Sequence, residues 1–270
     1  MAWDQNIEAL LGVGCRLSDH RRGQELDRDA LLTRSAKRAA WLLEQRCARG
    51  DRIVIAARDP LQIVVDLFAC WQAGLVAVLV NPAIVAGERQ RVTQATNAKL
   101  WVDEQTAESE TTEIALEPLH LNEPALILMT SGTTGVPKGV TLTLEALLAR
   151  VGSNRAHIGD AALVRTLAVL PVFFGHGLIG TILTPLAAGG HVTLWPSPTL
   201  GELARLGTVM DETKTTFLSG VPSFWRMAER LSPPPKTPPT QVHVGSEALS
   251  LELWQGIADW AGTHNVLNMY

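Results

Sequence analysis

The residues with the clearest chemical potential lie in one glycine-rich segment, Thr130–Gly139, with the sequence TSGTTGVPKG. Glycines let a backbone approach a ligand closely, successive N–H groups can form a concave anion site, and Lys138 adds a mobile positive charge. The segment therefore predicts a polyphosphate-binding loop. Its glycines and hydroxyl-bearing residues are Gly132, Gly135, Gly139, Thr130, Ser131, Thr133 and Thr134.

Two common nucleotide-binding loops have a different spacing. A Walker A loop needs Gly-Lys-Ser/Thr, but Pro137 stands where its second glycine should be, and Gly139 follows Lys138. The dinucleotide fingerprint GxGxxG also fails, since the nearest approach begins at Gly12 and ends on Leu17. A surface turn rich in small polar residues remains the alternative, but it accounts less well for Lys-Gly directly after proline.

Alternating helices and short apolar strands must position this loop. The pattern predicts an α/β fold with mainly parallel sheets and helices on both faces. The segment 232–240 holds five prolines in nine residues and predicts an extended linker inside one domain, 1–270. The predicted strands are 53–55, 75–80, 100–102, 125–130, 163–170, 191–195, 215–218, 242–244 and 266–268. The predicted helices are 29–48, 61–73, 143–151, 201–212, 222–230 and 250–261.

Composition excludes several classes of protein. Of 270 residues, 46% are hydrophobic and 19% charged, so a buried core is available and a disordered chain is excluded. The net charge of −4 without a basic stripe argues against nucleic-acid binding. No apolar run approaches the roughly 18 residues of a membrane span, and no signal peptide is recognisable, so we expect a cytoplasmic protein. Cys15, Cys47 and Cys70 form no CxxC pair, which predicts buried reduced thiols and no zinc or other metal site made by the chain.

Several further motifs accompany the glycine-rich loop. They are Gly50-Asp51-Arg52-Ile53, Ala69-Cys70-Trp71-Gln72-Ala73-Gly74, Val80-Asn81-Pro82, the run Leu170–Leu178 (LPVFFGHGL), Thr216–Pro222, Gly245-Ser246-Glu247-Ala248-Leu249 and Asn268-Met269-Tyr270. Together they resemble the adenylate-forming superfamily of acyl- and aryl-CoA ligases, amino-acid adenylation domains and luciferases. The resemblance implies the large N-terminal, AMP-binding domain of such an enzyme, truncated, with the small C-terminal domain absent.

The resemblance also implies roles for individual residues. Lys138, Thr133 and Thr134 would act on the departing pyrophosphate. The nucleotide would be bound by Thr130, Ser131, Gly132, Gly135, Gly139, Gly245, Ser246, Glu247, Asn268, Met269 and Tyr270, with the tyrosine against adenine. The acyl chain or ring would be surrounded by Phe173, Phe174, Gly175, His176 and Gly220.

The sequence departs from the family pattern at three places. Phe174 replaces the usual pocket histidine and makes the pocket more apolar, and Met129 stands at an often aromatic position. The chain stops at Tyr270, before the Gly-x-Thr-Glu whose glutamate helps to hold magnesium.

The activity implied is ATP-dependent activation of a carboxylic acid, aryl or acyl, as an acyl-adenylate. Magnesium would bridge phosphate oxygens, and a thiol of CoA or of the phosphopantetheine arm of an acyl carrier protein would then accept the acyl group. The resemblance makes an amino acid a less suitable substrate, since amino-acid adenylation domains usually place an aspartate near the position of Phe174 to meet the amine, and this sequence has none there. The alternative is a non-catalytic nucleotide-binding or scaffold module that keeps the loop.

Six side chains admit a structural interpretation as well. Phe173 and Phe174 could be core residues, and His176 could be a hydrogen-bonded turn residue. Glu247 could be a salt-bridged surface group. His191 and His243 are each interpreted as core or edge residues of a strand, not as ligands.

Overall fold

The computed structural model describes residues 9–103, 119–130 and 138–269. The strands are β1 Arg16–Asp19, β2 Gln24–Asp27, β3 Arg52–Ile55, β4 Val76–Leu79, β5 Ala98–Val102, β6 Pro124–Thr130, β7 Lys138–Thr143, β8 Arg165–Ala168, β9 His191–Leu194, β10 Phe217–Gly220, β11 Gln241–Val244 and β12 Val266–Asn268. The helices are α1 Arg28–Glu44, α2 Pro60–Gln72, α3 Ala86–Thr96, α4 Leu144–Ile158, a π-helix His176–Leu183, α5 Thr184–Ala187, α6 Leu200–Leu203, α7 Leu206–Thr213, α8 Pro222–Leu231 and α9 Leu251–Ala261. None of these described helices is both long and apolar enough to cross a membrane.

The chain divides into two compact units, one of residues 1–9 and 26–150, the other of residues 10–25 and 151–270. The first contains a five-stranded sheet in the order β5-β3-β4-β6-β7. The pairs among β5, β3, β4 and β6 are parallel, and β7 is antiparallel to β6. The apolar strand residues alternate between two buried faces, one of which packs on Val92 of α3.

A buried polar network joins α1 to α2 in the first unit. All thirteen residues of α2 are buried, Gln62, Asp66 and Gln72 among them. Nε of Arg38 donates to Oδ1 of Asp66 over 2.6 Å, and both side chains are 1% exposed. Nε2 of Gln62 donates to the same oxygen over 3.0 Å. A charged pair therefore fixes how these two helices pack.

The second unit contains a seven-stranded sheet in the order β12-β11-β10-β8-β9-β1-β2. The pairs from β12 to β1 are parallel. On one face, Leu218, Val242 and Val244 pack in a core with Trp225 of α8 and Trp260 of α9. The π-helix contacts β8 and β10. Parallel strands in both units, with helices about them, confirm the predicted fold class.

The structure corrects the boundaries of several predicted elements. Helix α4 extends to Ile158 instead of ending near residue 151, and the helix predicted over 201–212 is two helices separated at Ala204 and Arg205. The strand predicted over 163–170 covers only Arg165–Ala168. The sequence pattern missed β1, β2, α3, β7, the π-helix and the short helix α5. The three cysteines are buried and free of disulfides, as predicted.

The proline-rich segment 232–240 lies within the second unit and packs against its helices. Asp211 of α7 accepts hydrogen bonds from the backbone N–H groups of Lys236 and Thr237 over 3.0 Å. Nε1 of Trp260 donates to the carbonyl of Ser232 over 2.9 Å. These contacts hold the segment in one place although it has no regular secondary structure.

Gly207 of α7 permits the close approach of this segment. A Cβ at Gly207 would lie 2.3 Å from the carbonyl oxygen of Pro233, a backbone atom that cannot move by itself. We expect Gly207→Ala to lower the free energy of unfolding by about 1–3 kcal/mol in urea titrations, as overpacking does. The matched control is Gly152→Ala in α4, where a Cβ meets open space and where alanine favours the helix. Equal stability of the two variants would contradict this prediction.

Candidate functional site

The predicted phosphate loop connects the two strands of an antiparallel hairpin in the first unit. Thr130, the last residue of β6, lies opposite Lys138, the first residue of β7, and Met129 lies opposite Gly139. Because β6 is parallel to its neighbour β4, the loop leaves the sheet at the carboxyl edge of the parallel strands. Ligands of open α/β sheets bind at such edges.

The ends of the loop are therefore side by side, and Lys138 and Gly139 are exposed. The loop residues Ser131, Gly132, Thr133, Thr134 and Gly135 lie outside the described residues.

The second group of predicted residues lies at the carboxyl ends of β10, β11 and β12. The N–H of Gly245 donates to the carbonyl of Gly220 over 3.1 Å, and the N–H of Met269 donates to the carbonyl of Val244 over 2.7 Å. A Cβ at Gly245 would lie 3.2 Å from Cβ of Met269 and 3.4 Å from Cε1 of His176. The structure thus brings Gly220, Gly245, Met269 and His176 together, and only a very small residue fits at position 245.

Both ring nitrogens of His176 are hydrogen-bonded to serine hydroxyls. Nδ1 lies 2.9 Å from Oγ of Ser246, and Nε2 lies 2.8 Å from Oγ of Ser219. Burial lowers the pKa of His176 below its ordinary value, so the neutral ring is favoured, with one nitrogen donating and the other accepting. The imidazole therefore ties the start of the π-helix to the ends of β10 and β11.

Ser246 has a backbone conformation that suits a tight turn. Its φ is +69°, a left-handed value that residues with a Cβ adopt at some cost in energy. Its hydroxyl faces His176, and Oε1 of the next residue, Glu247, accepts a hydrogen bond from Oγ of Ser223 over 3.2 Å. Glu247 is exposed, and among the described residues no basic side chain pairs with it, so the salt-bridge interpretation is wrong.

Phe174 is a surface residue of this region, not a core residue. It is 52% exposed, so the core interpretation is wrong for Phe174, while Phe173 is half-buried. The two rings stack at 4.6 Å between centroids with an interplanar angle of 53°. They precede Gly175 and the π-helix in sequence and present an apolar surface beside His176.

The remaining predicted residues lie near the same edge. Asn268 and Met269 are exposed at the end of β12, and Tyr270 lies outside the described residues. Gly220 is buried, and a Cβ there would lie 2.8 Å from the ring of Phe224 and 2.9 Å from Nε1 of Trp225. Gly220 therefore allows α8 to pack closely, and it contributes its carbonyl to the turn at Gly245.

Sequence reasoning missed the groups that surround His176 on the sheet. Ser219 pairs in register with His243 of β11. His243 is 4% exposed, and its Nε2 lies 2.6 Å from Nε2 of Gln241. The ring of His157 is 6.0 Å away. Burial and the neighbouring imidazoles of His157 and His176 lower the pKa of His243 to about 4. The alternation of side chains along a β-strand could have revealed this group, since Phe217 and Ser219, two residues apart, must lie on the same face of the sheet.

Potential metal ligands and the buried histidine of β11 are also candidates for parts of a site. Among the described residues, no group of three or more His, Cys, Asp or Glu side chains could hold a metal ion. His243 is a core residue, as interpreted from the sequence.

Comparison with known proteins identifies the family. The AMP-binding enzyme family matches residues 13–118 and 103–270 of this chain. The chain belongs to the AMP-binding enzyme family. This confirms the resemblance derived from the glycine-rich loop and its accompanying motifs.

Two curated relatives of this AMP-binding protein are named as ligases of an acid with AMP or with CoA. It is 27% identical over 256 residues to p-hydroxybenzoic acid–AMP ligase FadD22 of Mycobacterium marinum, covering 87% of this chain and 36% of that protein. It is 46% identical over 82 residues to sulfoacetate–CoA ligase of Cupriavidus necator, covering 29% of this chain and 16% of that protein. The chain thus spans about a third or less of the length of these relatives.

Solved structures share the fold of the AMP-binding protein. The Klebsiella oxytoca NpsA N-terminal subdomain, in complex with 3-hydroxyanthranilyl-AMSN, has a TM-score of 0.83 and 21% identity, over 98% of this chain and 70% of that one. The Bacillus subtilis o-succinylbenzoate CoA synthetase, in complex with ATP and magnesium, has a TM-score of 0.79 and 21% identity, over 92% of this chain and 55% of that one. At this identity the likeness concerns the fold.

Proposed function

We propose that the protein takes part in ATP-dependent activation of a carboxylic acid, aryl or acyl, followed by transfer to a thiol. The observation that carries the proposal is the β6–β7 hairpin, whose strands place Thr130 opposite Lys138 at the ends of the glycine-rich loop. This loop would hold the triphosphate by its backbone N–H groups, its hydroxyls and Lys138. Lys138, Thr133 and Thr134 are assigned to the pyrophosphate that leaves.

The chemistry needs activation because a carboxylate has no good leaving group. A carboxylate oxygen would attack the α-phosphorus of ATP, the bond from that phosphorus to pyrophosphate would break, and an acyl-adenylate would remain. A thiolate would then attack the acyl carbon, and AMP would leave with the electron pair. Positioning and charge neutralisation supply most of the catalysis in such transfers.

The carboxyl edge of the second sheet fits a nucleoside. Ser246, Asn268 and Met269 are exposed there and offer a hydroxyl, an amide and an apolar side chain, while Gly245 leaves space that a Cβ would fill. We assign the adenosine to this edge, with Gly245, Glu247 and Tyr270. Magnesium would be held mainly by phosphate oxygens, since the described residues offer no acidic cluster.

The surroundings of His176 favour a substrate whose organic group, apart from the reacting carboxylate, carries no charge. Phe173 and Phe174 supply aromatic surface, and His176 is kept neutral by burial. Glu247, the acidic residue of the motif at this edge, accepts a hydrogen bond from Ser223 over 3.2 Å. The aromatic pair suits an apolar acid, so we propose an aryl or medium-chain acyl substrate.

Replacing Lys138 by alanine tests the role of the loop. Because a charge-assisted hydrogen bond contributes about 1.5–3 kcal/mol, we expect the dissociation constant of ATP to rise about 10- to 100-fold, measured by titration calorimetry. Lys138 is exposed, so the thermal midpoint should stay within about 2 °C of that of the parent protein. Lys99→Ala, an exposed lysine of the same unit, is the matched control and should bind ATP normally. Equal affinities of the two variants would overturn the assignment.

Acid-stimulated exchange of pyrophosphate into ATP distinguishes the enzyme from a binding module. Exchange that depends on one aryl or acyl acid supports the enzyme. ATP binding with no exchange for any member of a panel of aryl, acyl and amino acids would favour the non-catalytic module. The thiol acceptor, CoA or a carrier protein, is then found by supplying each to the acid-activating protein.

A further inference from the structure

A second polar cavity lies in the second unit, away from the carboxyl ends of β10–β12. Its volume is about 310 Å³. Two basic residues on neighbouring strands line it side by side: Arg165 of β8 pairs in register with His191 of β9. Parallel strands in register direct paired side chains to the same face, about 4.8 Å apart. Thr213, at the end of α7, completes the lining.

The hydroxyls and the imidazole in the cavity form a connected group. Nε2 of His191 lies 2.9 Å from Oγ of Ser18 and 3.5 Å from Oε2 of Glu25. Oγ of Ser18 donates to Oγ1 of Thr193 over 3.3 Å. Because a carboxylate faces Nε2, the proton is favoured on that nitrogen, and Nδ1 is left to accept a hydrogen bond.

The carboxylates that line the cavity are each engaged. Glu25 pairs with Arg16 over 2.6 Å, and Glu212 pairs with Arg205 over 3.2 Å. Oδ1 of Asp19 accepts from the backbone N–H groups of Arg21 and Arg22 over 2.8 and 3.1 Å, closing the turn between β1 and β2.

Arg165 supplies the guanidinium that faces the cavity. Its backbone N–H donates to Oγ1 of Thr216, but within the described ranges 9–103, 119–130 and 138–269 its guanidinium makes no ion pair or side-chain hydrogen bond. It is half-buried, and a half-buried charge without a partner is costly. A guanidinium presents a planar fork of donors that matches the oxygens of carboxylates and phosphates.

We propose that this cavity binds a small oxyanion, a phosphate or a carboxylate, on the guanidinium of Arg165, with the hydroxyl of Thr193, which accepts from Ser18, as a further donor. The proposal is independent of acid activation, since none of these residues belongs to the loop or to the edge described above. It assigns a second ligand site to the AMP-binding protein. This site lies on β8, β9, β1 and β2, whereas the edge described above is formed by β10, β11 and β12.

Titration of the 270-residue chain with inorganic phosphate, and separately with acetate, tests the proposal. We expect saturable binding of one of the two, seen by calorimetry and by a shift of the His191 imidazole signals in NMR spectra. Arg165→Gln should weaken binding at least tenfold. Arg226→Gln, the same charge change on an exposed residue of α8, is the matched control and should bind as the parent does.

A second variant keeps the test valid if Arg165→Gln does not fold. Thr193→Val removes one donor at similar volume and should weaken binding about threefold or more, with circular dichroism as the check of folding. Lys138→Ala separates this site from the triphosphate loop, because it should leave the phosphate-induced shift of His191 unchanged. Binding that survives Arg165→Gln, no saturable binding of either anion, or loss of the His191 shift in Lys138→Ala would each overturn the proposal.

Discussion

Replacing Arg38 by alanine is expected to lower the free energy of unfolding by about 3–5 kcal/mol, because it leaves a buried carboxylate without its partner. Arg38 and Asp66 are each 1% exposed, and Nε of Arg38 lies 2.6 Å from Oδ1 of Asp66. Among the described residues, Oδ2 of Asp66 has no hydrogen-bond partner, so Asp66 depends on Arg38 for compensation. Burial raises the pKa of Asp66, and the guanidinium opposes that rise. Urea titration followed by circular dichroism measures the change.

Two comparisons make this prediction specific to burial. Arg205→Ala breaks a pair with Glu212 whose side chains are 62% and 49% exposed, so it should cost no more than about 1 kcal/mol. The double variant Arg38→Met with Asp66→Leu removes both charges and should recover most of the lost stability. If Arg38→Ala were as mild as Arg205→Ala, the buried pair would not stabilise the α1–α2 contact.

Acidification is expected to destabilise the second unit through His243. The pKa of this ring is about 4 in the folded protein and about 6.5 in an unfolded chain. Between these values the unfolded state binds more protons, so stability falls as the pH drops from about 6.5 towards 4. The contribution lost between pH 7 and pH 5 is about 2 kcal/mol. Urea titrations at the two pH values measure it.

Removing the imidazole should flatten this pH dependence. His243→Val suits a strand position between Val242 and Val244, and its difference in stability between pH 7 and pH 5 should shrink by about 2 kcal/mol, whatever its stability at pH 7. His264→Gln removes an exposed histidine of the same unit and should leave that difference unchanged. A slope for His243→Val equal to that of the parent would refute the role of burial.

The sequence predicted two central strands well because apolar residues dominate them: Val76–Leu79 is wholly apolar, and Val242 and Val244 flank His243 in the other. Val76–Leu79 and Gln241–Val244 are buried on both faces of their sheets, and such strands are recognisable as short apolar runs between turn signals. The helix predicted over 250–261 begins where expected, because the side chain of Ser250 caps it by accepting a hydrogen bond from the N–H of Leu253.

The missed elements are those whose patterns are weak for physical reasons. Helix α3 has a polar sequence, AGERQRVTQAT, and buries only Val92 and Thr96, with no side-chain cap. Strand β2 is mostly exposed, and β7 is mostly exposed as well. These elements form because a neighbouring strand or sheet supplies hydrogen bonds and contact, which local residue patterns do not encode.

The sequence motifs identified residues of the candidate site, but they did not predict which of these residues contact one another. The loop ends, Gly245 and His176 were found from residue types, whereas the contacts of Ser219 and His243 were not. Their relation to His176 depends on the register of β10 against β11 and on the rotation of the π-helix. Both are set by the packing of distant segments. For the same reason, the exposure of Phe174 could not be read from its aromatic character.

His176 is the first residue of the π-helix His176–Leu183. The direction of its imidazole therefore depends on the number of residues between His176 and Thr184, where α5 begins. A π-helix bonds i to i+5 and so holds an extra residue relative to α-helical bonding. Deleting a single residue within it would permit ordinary α-helical bonding while turning His176 by about 100°, away from both serines. A relative that lacks one residue after this histidine would therefore have a differently arranged binding surface, even if all the neighbouring side chains were the same.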